Sequence, residues 1–252
     1  MSTAHGWDAR QWRGSREPLA MLGFPWPRLS SDRKFWLFTV ACWREVWDSI
    51  EPATREAVER LERFADAPQE TWTQEAWDAI RDDLTPPAEW QTEAAQSAPW
   101  DARRARREVV ALLGHYVLSA AERSILFDVY YGFLDEARAA GPEVESAWRQ
   151  QEGVAADLLR DVVGDPFLPP PALAPKWLEW GDRIAHRIAL AIHDEGDFGR
   201  LPVLGDALEE AGCCDGVVLG HCRGGGRHAR GCWVVDLVRG RHVLVDRPRR
   251  GG

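Results

Sequence analysis

From Asp32 to Ile50 apolar side chains fill two adjoining faces of a 3.6-residue period. Phe35, Phe38, Cys42, Val46 and Ile50 lie along one, and Trp36, Val40, Trp43 and Trp47 along the next. A stretch apolar over most of its circumference predicts a central buried helix, with Ser30, Ser31 or Asp32 available as its N-cap. Glu51-Pro52 opens a second helix, because proline suits a first turn. Over Pro52 to Asp66 the inward stripe is Ala57, Val58, Leu61 and Phe64, and the remainder is mostly Glu and Arg. A shorter helix is expected from Thr73 to Asp83. Thr85-Pro86-Pro87 stops it, and the residues up to Pro99 read as a linker.

Helical spacing resumes over Asp101 to Leu118 and over Ala120 to Ala139. In the latter, Ile125, Leu126, Val129, Tyr130, Phe133 and Leu134 recur on one face. Gly141-Pro142 marks a turn, and Glu143 to Val163 is helical again. The run DPFLPPPALAP, Asp165 to Pro175, excludes both helix and central strand. It divides the chain into an N-terminal helical bundle, 1–164, and a C-terminal helical module, 165–252. In that module Lys176 to Glu195 sets Trp177, Trp180, Ile184, Ile188 and Ile192 on one face, and Phe198 to Ala211 and Asp215 to Cys222 follow as helices. The segment from Gly231 has two readings: a helix to Val238, or a short β-hairpin at the extreme C-terminus, CWVVDLV-RG-RHVLVD. Helix is preferred, since Arg-Gly is a poorer hairpin turn than Asn-Gly. The expected fold class is all-α.

Composition narrows the function classes. At 252 residues, 45% hydrophobic and 28% charged, the chain reads as soluble and globular. No apolar run approaches the roughly 20 residues of a membrane span, and the N-terminus, MSTAHGWDARQW, lacks the apolar core of a signal peptide. A cytoplasmic location without membrane attachment is expected. Five cysteines, an odd number with four clustered, point to reduced thiols rather than a disulfide framework. The net charge of −9 hides an asymmetry: from Cys222 to the end the chain carries +6, leaving −15 on the rest. Fourteen tryptophans either fill a helical core or line a protein-interaction surface.

The chemistry concentrates between Cys213 and Trp233. Cys213, His221, His228 and Cys232 form the pattern C-x7-H-x6-H-x3-C, whose thiolate and imidazole donors suit tetrahedral zinc. Cys214 and Cys222 are substitutes for their neighbours. The competing reading makes Cys213, Cys222 and Cys232 small buried hydrophobes, with the histidines hydrogen-bonded locally. An enzyme would pair Cys222 with His221 or His228, Asp236 being the nearest orienting acid. Gly224 to Gly226 lacks the strand, lysine and hydroxyl of a phosphate loop and reads as a turn. Arg223, Arg227, Arg230 and Arg241 are the candidate nucleic-acid contacts, set against docking of the basic tail on the acidic body. His186 and His193 share a helix but read as surface or packing residues, Glu209-Glu210 as a solvated helix end, and the terminal Gly251-Gly252 as coincidence.

Two blocks carry a family likeness. The first is Leu19-Ala20-Met21-Leu22 with SSDRKFWLFTVACWREVW and SIEPATREAVERLERFADA. The second is ADLLRDVVGDPFLPP followed by DEGDFGRLPVLGDALEEAGCCDGVVLGHCRGGGRHARGCWVVDLV. Together they resemble a large paralogous family of uncharacterised planctomycete proteins, with an SDRKLRLF/ERFADG-like N-terminal block and a LPILADALEEAGC/HCRGPGPHVRGCWVVD-like C-terminal block. The resemblance spans about half the chain. It implies a mostly helical intracellular protein and supplies no catalytic residues. The chain departs from the pattern at Gly224-Gly225-Gly226-Arg227, where the family has Gly-Pro-Gly-Pro, and in its extension RGRHVLVDRPRRGG. With no catalytic constellation of known type, the expected function is a non-enzymatic protein–protein interaction or regulatory module. Its partner would be a protein that the sequence does not identify. Zinc or nucleic-acid binding through the Cys/His/Arg block is the first alternative, and a Cys/His-dependent enzyme the second.

Overall fold

Proline starts five of the helices, at Pro18, Pro52, Pro142, Pro175 and, one residue in, Pro202. Its missing N–H costs nothing in a first turn, and its fixed φ is already helical. Side-chain caps start others: Thr73 Oγ1 accepts the Ala76 N–H, and Asp101 Oδ1 the Arg104 N–H. The structure is a computed structural model that describes residues 7–23, 32–67, 73–84, 99–118, 123–168 and 173–241. In chain order its helices are α1 (Ala9–Gly14), α2 (Pro18–Leu22), α3 (Asp32–Arg44), α4 (Pro52–Asp66), α5 (Gln74–Leu84) and α6 (Ala102–Leu118). They continue as α7 (Arg123–Ala140), α8 (Pro142–Val163), α9 (Pro175–Glu195), α10 (Leu201–Glu210), α11 (Gly216–Arg223) and α12 (Trp233–Val238). Among the described residues there is no strand, so the fold is all-α. None of these helices is long and apolar enough to cross a membrane.

The chain forms two compact units. One gathers residues 15–23 and 33–156, the other residues 7–14 and 157–241. The second therefore combines α1 with the chain from residue 157, within α8, onward, whereas the sequence pattern places the division at Gly164–Asp165. Residues 85–98, 169–172 and 242–252, which hold most of the expected linker, the proline cluster and the terminal glycines, lie outside the described residues.

In the first unit α3 is buried almost all round, from Trp36 to Trp43, as its two-faced pattern predicts. It ends at Arg44, and a 3-10 turn at Trp47–Ser49 replaces the expected last helical turn. The α4 stripe Ala57, Val58 and Leu61 is buried. Phe64 joins Trp36 and Trp77 in an aromatic cluster with ring centroids 5.0–6.2 Å apart. Of the tryptophans among the described residues, Trp12, Trp36, Trp43, Trp148 and Trp233 are buried in core, Trp7, Trp47, Trp77, Trp100 and Trp177 are half-buried, and Trp180, at 41%, is exposed.

One carboxylate of this core opposes its surroundings. Glu108, on α6, is buried. Its Oε1 meets Arg104 Nε at 3.4 Å, while its Oε2 has no hydrogen-bond partner among the described residues. Burial pushes the carboxyl up, and Arg107 and Arg104 offset this only in part. Because the folded value lies above the unfolded one, its stabilising contribution is full below the unfolded value of about 4.3. It is lost as pH rises through the folded value. Denaturant midpoints of the wild type and Glu108→Gln are therefore expected to converge near pH 4, with the variant the more stable at pH 7.

The second unit packs α9 to α12 around Ala189, Ile192, Leu204, Leu208, Val218 and Val234. Gly205 lets α10 approach α11, since a Cβ there would stand 2.9 Å from Cys222 Cβ. α12 is helical, which excludes the hairpin reading by removing its first arm. The expected continuous helix from Lys176 is interrupted: Gly181, Asp182 and Arg183 take left-handed conformations. For the two non-glycine residues that geometry costs about 1–2 kcal/mol each. The interruption breaks the periodicity, so Trp180 leaves the inward face that its spacing predicts.

Candidate metal centre

Four side chains from three segments meet in the second unit. Asp161 comes from the last turns of α8, His221 from α11, His228 from the loop after the glycines, and Cys232 from the residue before α12. One donor atom from each lies within 4.8 Å of the others. Asp161 Oδ1 is 2.7 Å from His228 Nδ1 and 3.2 Å from His221 Nε2, and His221 Nε2 is 3.2 Å from Cys232 Sγ. A tetrahedral zinc site with bonds of 2.0–2.3 Å has donor–donor edges of about 3.3–3.8 Å, so these three contacts would open, the shortest by about 0.6 Å, around an ion.

Local sequence explains each placement. Gly164, at φ +78, ends α8 and donates its N–H to the Arg160 carbonyl at 2.8 Å. It lies flat against the Trp233 ring, 3.5 Å from where a Cβ would be. Asp215 caps α11 by accepting the N–H groups of Val217 and Val218, which sets His221 near the helix end. The glycine loop then returns the chain so that the Gly224 carbonyl faces His228 Nε2 at 3.5 Å. Cys232 is the residue that precedes the first turn of α12, as its N-cap. Asp161 Oδ2 accepts the Ala229 N–H at 2.9 Å. The two imidazoles meet edge to face, centroids 4.9 Å apart, and the Trp233 ring stands 4.9 Å from His221.

The electrostatics fit a polar cluster inside a core. Burial works against charge on Asp161, yet the hydrogen bonds from His221 and His228 outweigh it and hold the carboxyl below its usual range. Burial likewise works against a charged His228, and the Asp161 contact reverses it, raising the imidazole. Burial and the Asp161 charge push the Cys232 thiol well up. Asp161, His221, His228 and Cys232 thus offer a carboxylate, two imidazoles and a thiol, a donor set able to hold a metal ion.

Three of the four residues expected from the spacing converge; Cys213 does not. It is buried in the apolar core, where its N–H closes the end of α10 on the Leu208 carbonyl at 2.9 Å. Asp161 takes the fourth place, sixty positions before His221. Cys222, the candidate nucleophile, is fully buried against Gly205, and burial pushes its thiol up to about 12. Asp236 is buried and pairs with Arg239 at 3.2 Å. Arg223 is bound to Asp206 and Glu209 at 2.7 and 2.5 Å, and Arg230 donates to the His193 carbonyl at 3.1 Å. Arg227 and Arg241 are exposed. His193 meets Arg239 at 2.9 Å and, like His186, stands outside the cluster.

His221 and Trp233 also border a cleft of about 470 Å³, with Trp12, Arg160, Leu168 and Val217 among its other walls. Arg160 Nε donates to the Trp12 carbonyl at 3.1 Å, and Arg13 pairs with Asp165 at 2.7 Å, tying α1 to the end of α8. Comparison with family models, curated proteins and solved structures finds no match for this chain.

Proposed function

We propose that Asp161, His221, His228 and Cys232 bind a structural zinc ion, and that the chain is a non-enzymatic interaction or regulatory module whose C-terminal unit this ion holds together. The observation that carries the reading is the convergence of four chemically suitable donors from three separate segments. A mixed set of thiolate, imidazole and carboxylate suits zinc, and four protein donors make a closed site rather than one keeping a place for substrate. The outer contacts of His228 to the Gly224 carbonyl and of Asp161 to the Ala229 N–H are of the kind that orient metal ligands. The family block named above, HCRGPGPHVRGCWVVD, repeats the His-x6-His-x3-Cys-Trp spacing of this chain, so its members are proposed to share the three C-terminal donors.

Elemental analysis of the purified full-length chain tests this directly. One zinc per chain is expected, with a lowered unfolding temperature after chelation. Protein that carries no stoichiometric metal, does not take up added zinc, and melts identically with and without chelator would overturn it.

A further inference from the structure

The contact between Trp233 and His221 runs against the rest of the centre. The indole Nε1–H lies 3.0 Å from His221 Nδ1, and an indole nitrogen only donates. His221 Nδ1 therefore presents a lone pair, and the neutral ring carries its proton on Nε2. That nitrogen is the one facing Asp161 Oδ1 and Cys232 Sγ. An ion held by Nε2 needs the lone pair there, which sends the ring proton to Nδ1, donor against donor with the indole. His228 is built the opposite way: its Nδ1 turns inward, and its Nε2 faces the Gly224 carbonyl, an acceptor. Among the four donors, His221 alone has an outer contact that disfavours ligation.

We infer that Trp233 opposes metal capture: it is a positioning residue that holds His221 in the non-ligating tautomer, and loading the ion breaks the Trp233–His221 hydrogen bond. The inference rests on the metal reading above. On loading, Cys232 releases its proton to solvent, the inward nitrogens His221 Nε2 and His228 Nδ1 lose theirs, and each ring then carries its one proton on the outward nitrogen, Nδ1 of His221 and Nε2 of His228. Trp233 and His221 also form one wall of the 470 Å³ cleft, so the contact that breaks lies on that wall. Occupancy of the centre and the shape of the cleft are thereby tied.

The test uses full-length, chelator-stripped wild type and Trp233→Phe, titrated with zinc against a chromophoric competitor. The net worth of one ordinary hydrogen bond corresponds to about three- to tenfold in affinity, and Trp233→Phe is expected to bind tighter by that factor. Equal or weaker binding by a folded variant, with wild type binding zinc, overturns the inference and leaves the metal reading standing. Failure of both chains to take up zinc removes the metal reading and this inference with it. Because Trp233 is a core residue, 15N NMR of the wild-type His221 ring gives a readout that needs no variant. The proton is expected on Nε2 without metal and on Nδ1 with zinc, and an Nδ1 proton in the zinc-free chain overturns the inference.

Discussion

Asp161→Ala is expected to purify without metal and to lose about 3–5 kcal/mol of stability in its C-terminal unit, the cost of breaking a buried polar pair from one side. The carboxylate is only 3% exposed, yet it serves three partners: His228, His221 and the Ala229 N–H. Alanine leaves two imidazoles and a backbone donor without the acceptor that they share. Asp161→Asn separates the contributions. Its amide oxygen still accepts from Ala229, but a neutral amide is a poor metal ligand, so metal is lost with a smaller fall in stability. Denaturant unfolding and metal content, read on the same samples, check both. A full complement of metal in Asp161→Ala, with a loss under about 1 kcal/mol, would mean that Asp161 neither ligates nor anchors.

The other large effect falls in the first unit. Trp148→Ala is expected to cost about 3–5 kcal/mol, the usual range for deleting a large buried ring. Trp148 is fully buried on α8, with Tyr130 edge-on at 5.3 Å and Trp100 tilted at 6.2 Å. Its indole N–H has no hydrogen-bond partner among the described residues, so the ring acts by volume and aromatic contact. Trp148→Phe keeps most of that volume and sheds the unpartnered N–H, and it is expected to retain well over half of the stability that alanine loses. A Phe variant as damaged as the Ala variant would show that the indole nitrogen matters after all. Urea midpoints decide.

The helices were readable because amphipathic spacing reports burial directly: the α4 stripe and the two-faced α3 follow from residue type alone. Ends were less readable. Nothing in the pattern separates the last turn of α3 from the 3-10 turn at Trp47, since Val46 and Ile50 are buried either way. The interruption in α9 was hidden because its apolar residues keep helical spacing across Gly181, whose tolerance of positive φ allows the break. Three donors of the candidate cluster were legible as a dense Cys/His block. The fourth was not, because carboxylates are common and Asp161 lies far from that block. A signal did exist: Asp161 sits three residues after Leu158 and beside Val162, on the apolar side of α8, where a charge needs a partner. Cys213 misled because cysteine serves equally as a ligand and as a small core hydrophobe.

Seen as a cross-link, the metal centre has a topology that its geometry does not reveal. Asp161 and His221 are sixty positions apart, so an ion held there would close a large loop that contains α9, α10 and most of α11. A covalent bridge across such a span is worth about 4 kcal/mol through the disorder it denies the unfolded chain. The ion would act through the unfolded ensemble as much as through the folded contacts. Its loss would release three helices together, turning a chelator or a competing thiol into a cooperative unlocking signal.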